Sequence, residues 1–359
     1  MSKPDPKTLH KGRGAQKSQH NRFERLRHVP RADFREYRIR EGEDTSTRTE
    51  YLKVHPRSIV NKVESPDVGM SYSMNPYQGC EHGCVYCYAR NTHQYWGYGP
   101  GLDFESRILV KENAAVLLEN QLRKPSWKAA PIVLSGNTDC YQPAEKKYCL
   151  TRACLKVFLK YRHPVGIITK NALLLRDLDL LKELHQYGLV GVHISVTSLN
   201  PETRRLLEPR TTTTSQRLKT IEKLAEAGIP VNAMLAPVIP GINSHELMEL
   251  ARVVADAGAR SFGLNVVRLN GAVGEIFSHW IHKAMPERAD KVLNQIRACH
   301  GGRLNDSRFG IRNKGEGPLA QQINRMAQIC KMRYFSGREF PSLNTGLHQD
   351  YKTGQLKLF

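Results

Sequence analysis

No stretch of the sequence approaches the ~18 consecutive apolar residues that mark a membrane-spanning helix. The opening MSKPDPKTLHKGRGAQKSQHNRFER has no apolar h-region, which argues against a secretory signal. Acidic residues are scarce: 34 Asp and Glu stand against 54 Lys and Arg, a net charge of +20. No evenly spread cysteine framework of the kind that staples small secreted domains is present. The expectation from these absences is a cytoplasmic protein, without membrane association, whose eight cysteines stay reduced. With 40% hydrophobic residues it can bury one large core with extensions, or two ordinary ones.

The positive charge is densest at the two flanks. Residues 1–60 hold 15 Lys and Arg against 8 Asp and Glu, and residues 301–359 hold 10 against 4. Such flanks are either solvated arms or attractors of a polyanion, foremost nucleic acid. Residues 1–70 show little periodicity and read as a basic, partly disordered N-terminal extension. Residues 71–300 read as the core domain, and 301–359 as a basic C-terminal extension with a flexible tail.

From about residue 72, short Val- and Ile-rich runs alternate with amphipathic stretches. The runs are PIVLSG (131–136), VGIITK (165–170), VGVHISVTS (190–198), PVNAMLAPV (230–238) and SFGLNVV (261–267), with a first strand near 72–79. Their length and composition fit buried parallel strands. The stretches 150–162, 173–188, 215–228 and 245–258 carry apolar residues at three- and four-residue spacing. Gly188, Gly228 and Gly258 close three of them, each followed by a strand. This grammar predicts an α/β fold of about six βα units: a partial (βα)6 TIM-like barrel, with a doubly wound open sheet as the alternative. Cys80, Thr138, Lys170, Ser195 and Arg268 all fall just beyond strand C-terminal ends, where barrel chemistry gathers.

Within NPYQGCEHGCVYCYAR (75–90), Cys80, Cys84 and Cys87 are spaced C-x3-C-x2-C. Gly79 and Gly83 allow one loop to fold tightly enough to aim three thiolates inward. Two metal readings follow. A structural zinc would need a fourth ligand, for which His82 is available. A four-iron cluster on three cysteines would leave one iron open.

The motif, on the loop after a first strand and with Tyr86 before its last cysteine, resembles the radical S-adenosylmethionine superfamily. Within it, NPYQGCEHGCVYCYAR, SGNTDCYQPAEK, ITKN, ISVTS and MLAPVIPGINSHE, in that order, resemble the group related to spore photoproduct lyase. The resemblance covers about residues 70–300. It implies one 4Fe-4S cluster on Cys80, Cys84 and Cys87, whose open iron chelates S-adenosyl-L-methionine. Electrons would come from an external donor such as flavodoxin or ferredoxin. Reductive cleavage would give a 5′-deoxyadenosyl radical that takes a hydrogen atom from the substrate.

The resemblance also assigns supporting roles. Lys170 would pair with the cofactor carboxylate, and Ser195 would hydrogen-bond its methionyl or ribose part. Thr138 or Asp139 would replace the Gly-Gly-Glu segment found elsewhere in the superfamily, here SGNTD. Tyr86 would lie near adenine, and PGINSHE (240–246) resembles the adenine-side loop. Arg210 is a candidate for a phosphate or carboxylate. The photoproduct lyase returns a hydrogen atom from a cysteine whose aligned position is Gly136 here. Cys140, four residues on, is the candidate donor, against a plain buried thiol.

The chain ends GQLKLF. Gln355, Leu356, Leu358 and Phe359 resemble the pentapeptide by which bacterial repair and replication proteins bind the sliding clamp; the other reading is docking on the barrel. The expected function is radical chemistry in nucleic-acid repair or modification. The alternatives are the same chemistry on a protein or small molecule, or a zinc-bearing nucleic-acid binder without activity.

Overall fold

A run buried on both faces cannot alternate polar and apolar residues, and the two central strands of this protein are of that kind. Val165–Thr169 (β7) and Val190–Ser195 (β8) are buried at all but one position each. The computed structural model describes residues 9–23 and 48–353. Its main sheet has the order β10-β9-β8-β7-β6-β3-β2. The other members are Val60–Lys62 (β2), Tyr72–Met74 (β3), Ile132–Leu134 (β6), Val231–Met234 (β9) and Ser261–Gly263 (β10). Six strands, β3 and β6 to β10, run parallel, and β2 lies antiparallel on the edge. Six parallel strands match the number expected, but the first, expected over 72–79, keeps only Tyr72–Met74 here, because Tyr77–Gln78 pairs in another sheet; the main sheet keeps two edges, as an incomplete barrel must.

The helices bury one stripe against this sheet. In Leu247–Asp256 the buried positions are Leu247, Leu250, Ala251, Val254 and Ala255, the repeat of a single helical face. Gly188, Gly228 and Gly258 adopt φ of +65°, +79° and +99°, the left-handed closure that turns each helix into the next strand.

A second, three-stranded sheet has the order β1-β5-β4. It joins Glu50–Val54 (β1), Arg107–Lys111 (β5) and Tyr77–Gln78 (β4), with β5 parallel to β1 and antiparallel to β4. This sheet matters for position: β4 ends directly before Gly79 and Cys80.

The C-terminal extension is more ordered than its polar composition suggests. The helix Gly317–Tyr334 adds Ala320, Ile323, Ala327 and Cys330 to the main core. Residues 336–353, a polar run expected to be disordered within the flexible tail, are seated at the strands' N-terminal ends. The Phe340 ring lies 5.2 Å from that of His193, and Asn344 N–H donates to Gly188 O at 2.9 Å. The helix Gly346–Thr353 follows, with Lys352 Nζ donating to three carbonyls, those of Lys124, Pro125 and Trp127. Three scattered apolar residues, Phe340, Leu343 and Leu347, have no periodicity of their own, so the sequence alone leaves them unplaced. Gln355, Leu356, Leu358 and Phe359 lie outside the described residues. Among the described residues, no helix is long and apolar enough to cross a membrane.

Candidate active site

The cysteine loop leaves β4 through Gly79 at φ +80° and turns again at Gly83 at φ +67°. A Cβ at Gly79 would meet the carbonyl oxygen of Arg107 at 2.8 Å, so the tight loop requires glycine there. Cys80 and Cys84 are buried and Cys87 is partly so; none is in a disulfide. Cys80 packs with Ala89 and Phe104, while Cys84 packs with Val85, Tyr86 and Leu207, and Cys87 touches both groups. Burial pushes all three thiols up from their ordinary pKa, so the pocket disfavours bare thiolates. Iron binding would displace those protons.

Zinc fits poorly. His82, the one available fourth ligand, is occupied elsewhere: Nδ1 lies 3.3 Å from Asp139 Oδ2 and Nε2 lies 3.3 Å from Asn171 Nδ2. Three enclosed sulfurs from one loop, with no fourth, suit a four-iron cluster with one free corner.

Two fully buried ion pairs clamp this loop. Arg90 donates to the carbonyls of Gly83, Cys84, Pro100 and Gly101 and reaches Glu105 at 2.5 Å. Glu105 in turn accepts the backbone N–H groups of Gly14 (3.0 Å) and Ala15 (2.7 Å), while Arg13 Nη1 donates to Glu105 O at 2.6 Å. Residues 9–23, expected as part of a disordered arm, therefore form a strap across the cysteine loop. Arg13, Gly14, Ala15 and Gln16 are all buried. The second pair is Arg217 with Glu208, at 2.5 Å. Glu208 also accepts from the hydroxyls of Tyr86 and Thr197. Burial alone would raise this carboxyl, but Arg217 and Lys170 hold it down at about 2.

The expected site residues divide in two. Lys170 stands at the mouth: its ammonium lowers the Cys84 and Cys87 thiols and Glu208 electrostatically, and it donates to no described residue. Ser195 ends β8, buried, its carbonyl held by Arg217 Nη1 at 2.9 Å. Asp139 is bonded within the protein. It accepts the N–H groups of Lys170 and Tyr141 (both 2.9 Å) and the Thr169 hydroxyl (2.8 Å), beside His82. Burial would raise its pKa, but His82 and these donors bring it to about 2. Thr138 ties its hydroxyl to Tyr77 O at 2.6 Å. The Tyr86 ring is core, with its hydroxyl on Glu208.

Cys140 is fully buried in the main core with Met74, Leu134 and Tyr141, its N–H on Ser135 Oγ and its carbonyl accepting from Thr151. Its thiol falls in the main core, while its neighbours Asp139 and Gln142 meet the cysteine loop at His82, at Glu81 N–H and at Gly79 O. Arg210 faces Glu81, Thr49 and Gly12 of the strap and not the mouth.

Sequence reasoning missed Arg90, Glu105, Glu208 and Arg217, because a buried charge is recognisable only with its distant partner. It also missed Tyr88, directly after Cys87. That ring is 48% exposed, and its hydroxyl donates to Gly136 O.

The family model for the radical SAM superfamily matches residues 74–254. An uncharacterized protein of Mycobacterium tuberculosis is 37% identical over 244 residues, 67% of this chain and 72% of that one. Another, of Methanocaldococcus jannaschii, is 28% identical over 250 residues, 70% and 89% of the two chains. Among solved structures, spore photoproduct lyase with bound AdoMet and dinucleoside spore photoproduct superposes with a TM-score of 0.59 over 80% of both chains. At 16% identity, that likeness is one of fold.

Proposed function

This chain belongs to the radical SAM superfamily of enzymes, which implies a 4Fe-4S cluster and S-adenosylmethionine, and from that premise we propose that it repairs or modifies a base of a nucleic acid. Cys80, Cys84 and Cys87 would hold the cluster. When bound, cluster and cofactor together supply a 5′-deoxyadenosyl radical for hydrogen-atom abstraction. The residues of the chain do the rest. Lys170, its backbone fixed by Asp139, offers a point charge to the cofactor carboxylate. Ser195 lies at the same rim. Arg217, Lys170, Thr197 and Tyr86 keep Glu208 ionised beside the loop.

The observation that carries the nucleic-acid reading is the net charge of +20, densest in the flanks, with described parts of both flanks packed on the barrel. The fold likeness to a lyase with a bound dinucleoside supports it. The tail residues Gln355, Leu356, Leu358 and Phe359 add a proposed sliding-clamp contact. The helix Gly346–Thr353 that leads into them docks at the end of the sheet opposite the cysteine loop. The test is anaerobic reduction of the reconstituted protein with S-adenosylmethionine, with and without DNA or RNA. The expected result is 5′-deoxyadenosine whose yield rises with nucleic acid. A yield indifferent to nucleic acid but raised by a peptide would overturn the substrate class.

A further inference from the structure

Arg268 falls just past β10, where barrel chemistry gathers, yet the proposed cofactor contacts leave it out. Its backbone is fixed from both sides. Val266 bridges Val238, Val267 N–H donates to Val238 O at 2.9 Å, and Leu269 N–H donates to Leu304 O at 2.8 Å. Its side chain is half-buried and makes no hydrogen bond or ion pair with any described residue.

The charges around it among the described residues sharpen this. Burial first, then the neighbouring Arg312, disfavour the Arg268 charge, while Tyr88 and Asp67 favour it. Asp67 is already committed: it accepts Gly310 N–H at 2.6 Å and Arg312 Nε, and Arg312 also reaches Ser65 Oγ. Two guanidinium groups therefore share one carboxylate, and Arg312 has taken it. A half-buried cation facing another cation is costly unless an anion joins it. Two exposed rings adjoin these charges, Tyr88 acting on Arg268 and Phe309 under Arg312. Tyr88 is 48% exposed, and Phe309 is 59% exposed with the Arg312 guanidinium 4.4 Å from its centroid. A guanidinium fork matches phosphate oxygens, and exposed rings accept stacked bases.

We propose that Arg268, beyond the C-terminal end of β10, is an anion seat for the substrate, taking a phosphodiester of single-stranded nucleic acid, with Tyr88 and Phe309 as stacking faces for neighbouring bases. The proposal rests on the nucleic-acid reading above and narrows it to one residue and one strand form.

The experiment measures binding of a fluorescent single-stranded oligonucleotide to the reconstituted full-length protein across a salt series. Wild type, Arg268→Gln and Arg268→Lys are compared, with the exposed Lys182→Gln on the outer helix as control. Iron per chain and melting temperature verify that each variant is folded. Arg268→Gln is expected to weaken binding roughly ten- to a hundredfold, the loss of a charged hydrogen-bonded contact. It should also flatten the slope of log K against log salt by about 0.7, one phosphate fewer on a single strand. Arg268→Lys should restore the slope while recovering only part of the affinity, because a point charge replaces the fork. Lys182→Gln should change neither. Unchanged affinity and slope in folded Arg268→Gln would overturn the seat while leaving the nucleic-acid reading standing. A wild type that binds no oligonucleotide at any salt would overturn both. Arg268-dependent capture of a carboxylate-bearing peptide in its place would assign the seat to another substrate class.

Discussion

Gly14→Ala probes whether the strap is part of the cysteine loop's support. A Cβ at position 14 would lie 1.7 Å from Gly83 O, 2.9 Å from Gly83 C and 3.0 Å from Val85 Cγ1. The first atom is backbone, so no rotamer change relieves the overlap. Either the strap lifts or Gly83 moves, by more than 1 Å, on the order needed to restore ordinary contact. Both motions pull the Gly14 and Ala15 N–H groups away from the Glu105 carboxylate, which they meet at 3.0 and 2.7 Å. Each bond to a charged group is worth about 1.5–3 kcal/mol, and Glu105 is fully buried. Losing one outright or weakening both costs about 3 kcal/mol, from a total near 5–15 kcal/mol. The melting temperature should fall by roughly 4 °C, because a chain of 359 residues unfolds with an entropy of about 0.75 kcal/mol/K. Iron and sulfide per chain should fall with it, because the loop at Gly83 and Cys84 loses its outer wall. The assay is anaerobic reconstitution followed by metal analysis, calorimetry and the rate of cluster bleaching in air, with exposed Lys17→Ala alongside. Gly14→Ala with wild-type iron, melting and bleaching would show that the strap merely lies on the loop.

Replacing Cys80, Cys84 or Cys87 singly with Ala should abolish the brown chromophore after reconstitution; full iron in any one variant would remove that cysteine from the ligand set. Lys170→Gln should keep its iron yet bind S-adenosylmethionine at least roughly tenfold more weakly, the scale of one charged contact; unchanged affinity by equilibrium dialysis would refute the carboxylate pairing. Stability should drop on mild acidification. Burial depresses His93 to about 4, His163 to about 3 and His193 to about 4, so these groups stay neutral when folded. Their contribution is complete above the unfolded value near ~6.5 and is lost as pH falls towards their folded values, at up to ~1.4 kcal/mol per pH unit for each. Urea midpoints that do not move between pH 7 and pH 5 would contradict this. Removal of residues 355–359 from the full chain should abolish retention on immobilised sliding clamp and leave iron content intact; equal retention would discard the tail motif.

The parallel strands were legible because the central ones are buried at nearly every position and the outer ones keep an apolar inner face, and apolar composition misreports that burial only at strand ends. The run 230–238 predicts a strand, but the ladder covers only Val231–Met234; Val238 stays buried in the loop beyond. The run 261–267 shortens to Ser261–Gly263 in the same way, with Val266 and Val267 buried past the strand. Apolar residues continue because the mouth loops are themselves interior. The strap was illegible for a different reason. Its bonds run from backbone N–H groups to a carboxylate some 90 positions away, and such bonds leave no period in the sequence. The cysteine spacing, by contrast, carries its geometry locally, with Gly79 and Gly83 at the two positive-φ turns.

The two buried ion pairs explain why the loop can be both tight and single-valued. Desolvating Arg90 with Glu105, or Arg217 with Glu208, costs several kcal/mol per ion, and apolar residues of similar volume would give comparable or greater stability. Apolar side chains, however, cannot hold carbonyl oxygens. Arg90 fixes four of them, those of Gly83 and Cys84 on the cysteine loop and of Pro100 and Gly101 opposite. Arg217 fixes the carbonyl of Ser195 at the end of β8, and Glu208 fixes the hydroxyl of Tyr86 between Cys84 and Cys87. Each pair therefore joins the loop to an element that a cluster-bearing site must keep at a set distance. A purely apolar packing would allow the loop to slide. The charges trade stability for position, and position is what three sulfurs on one loop require.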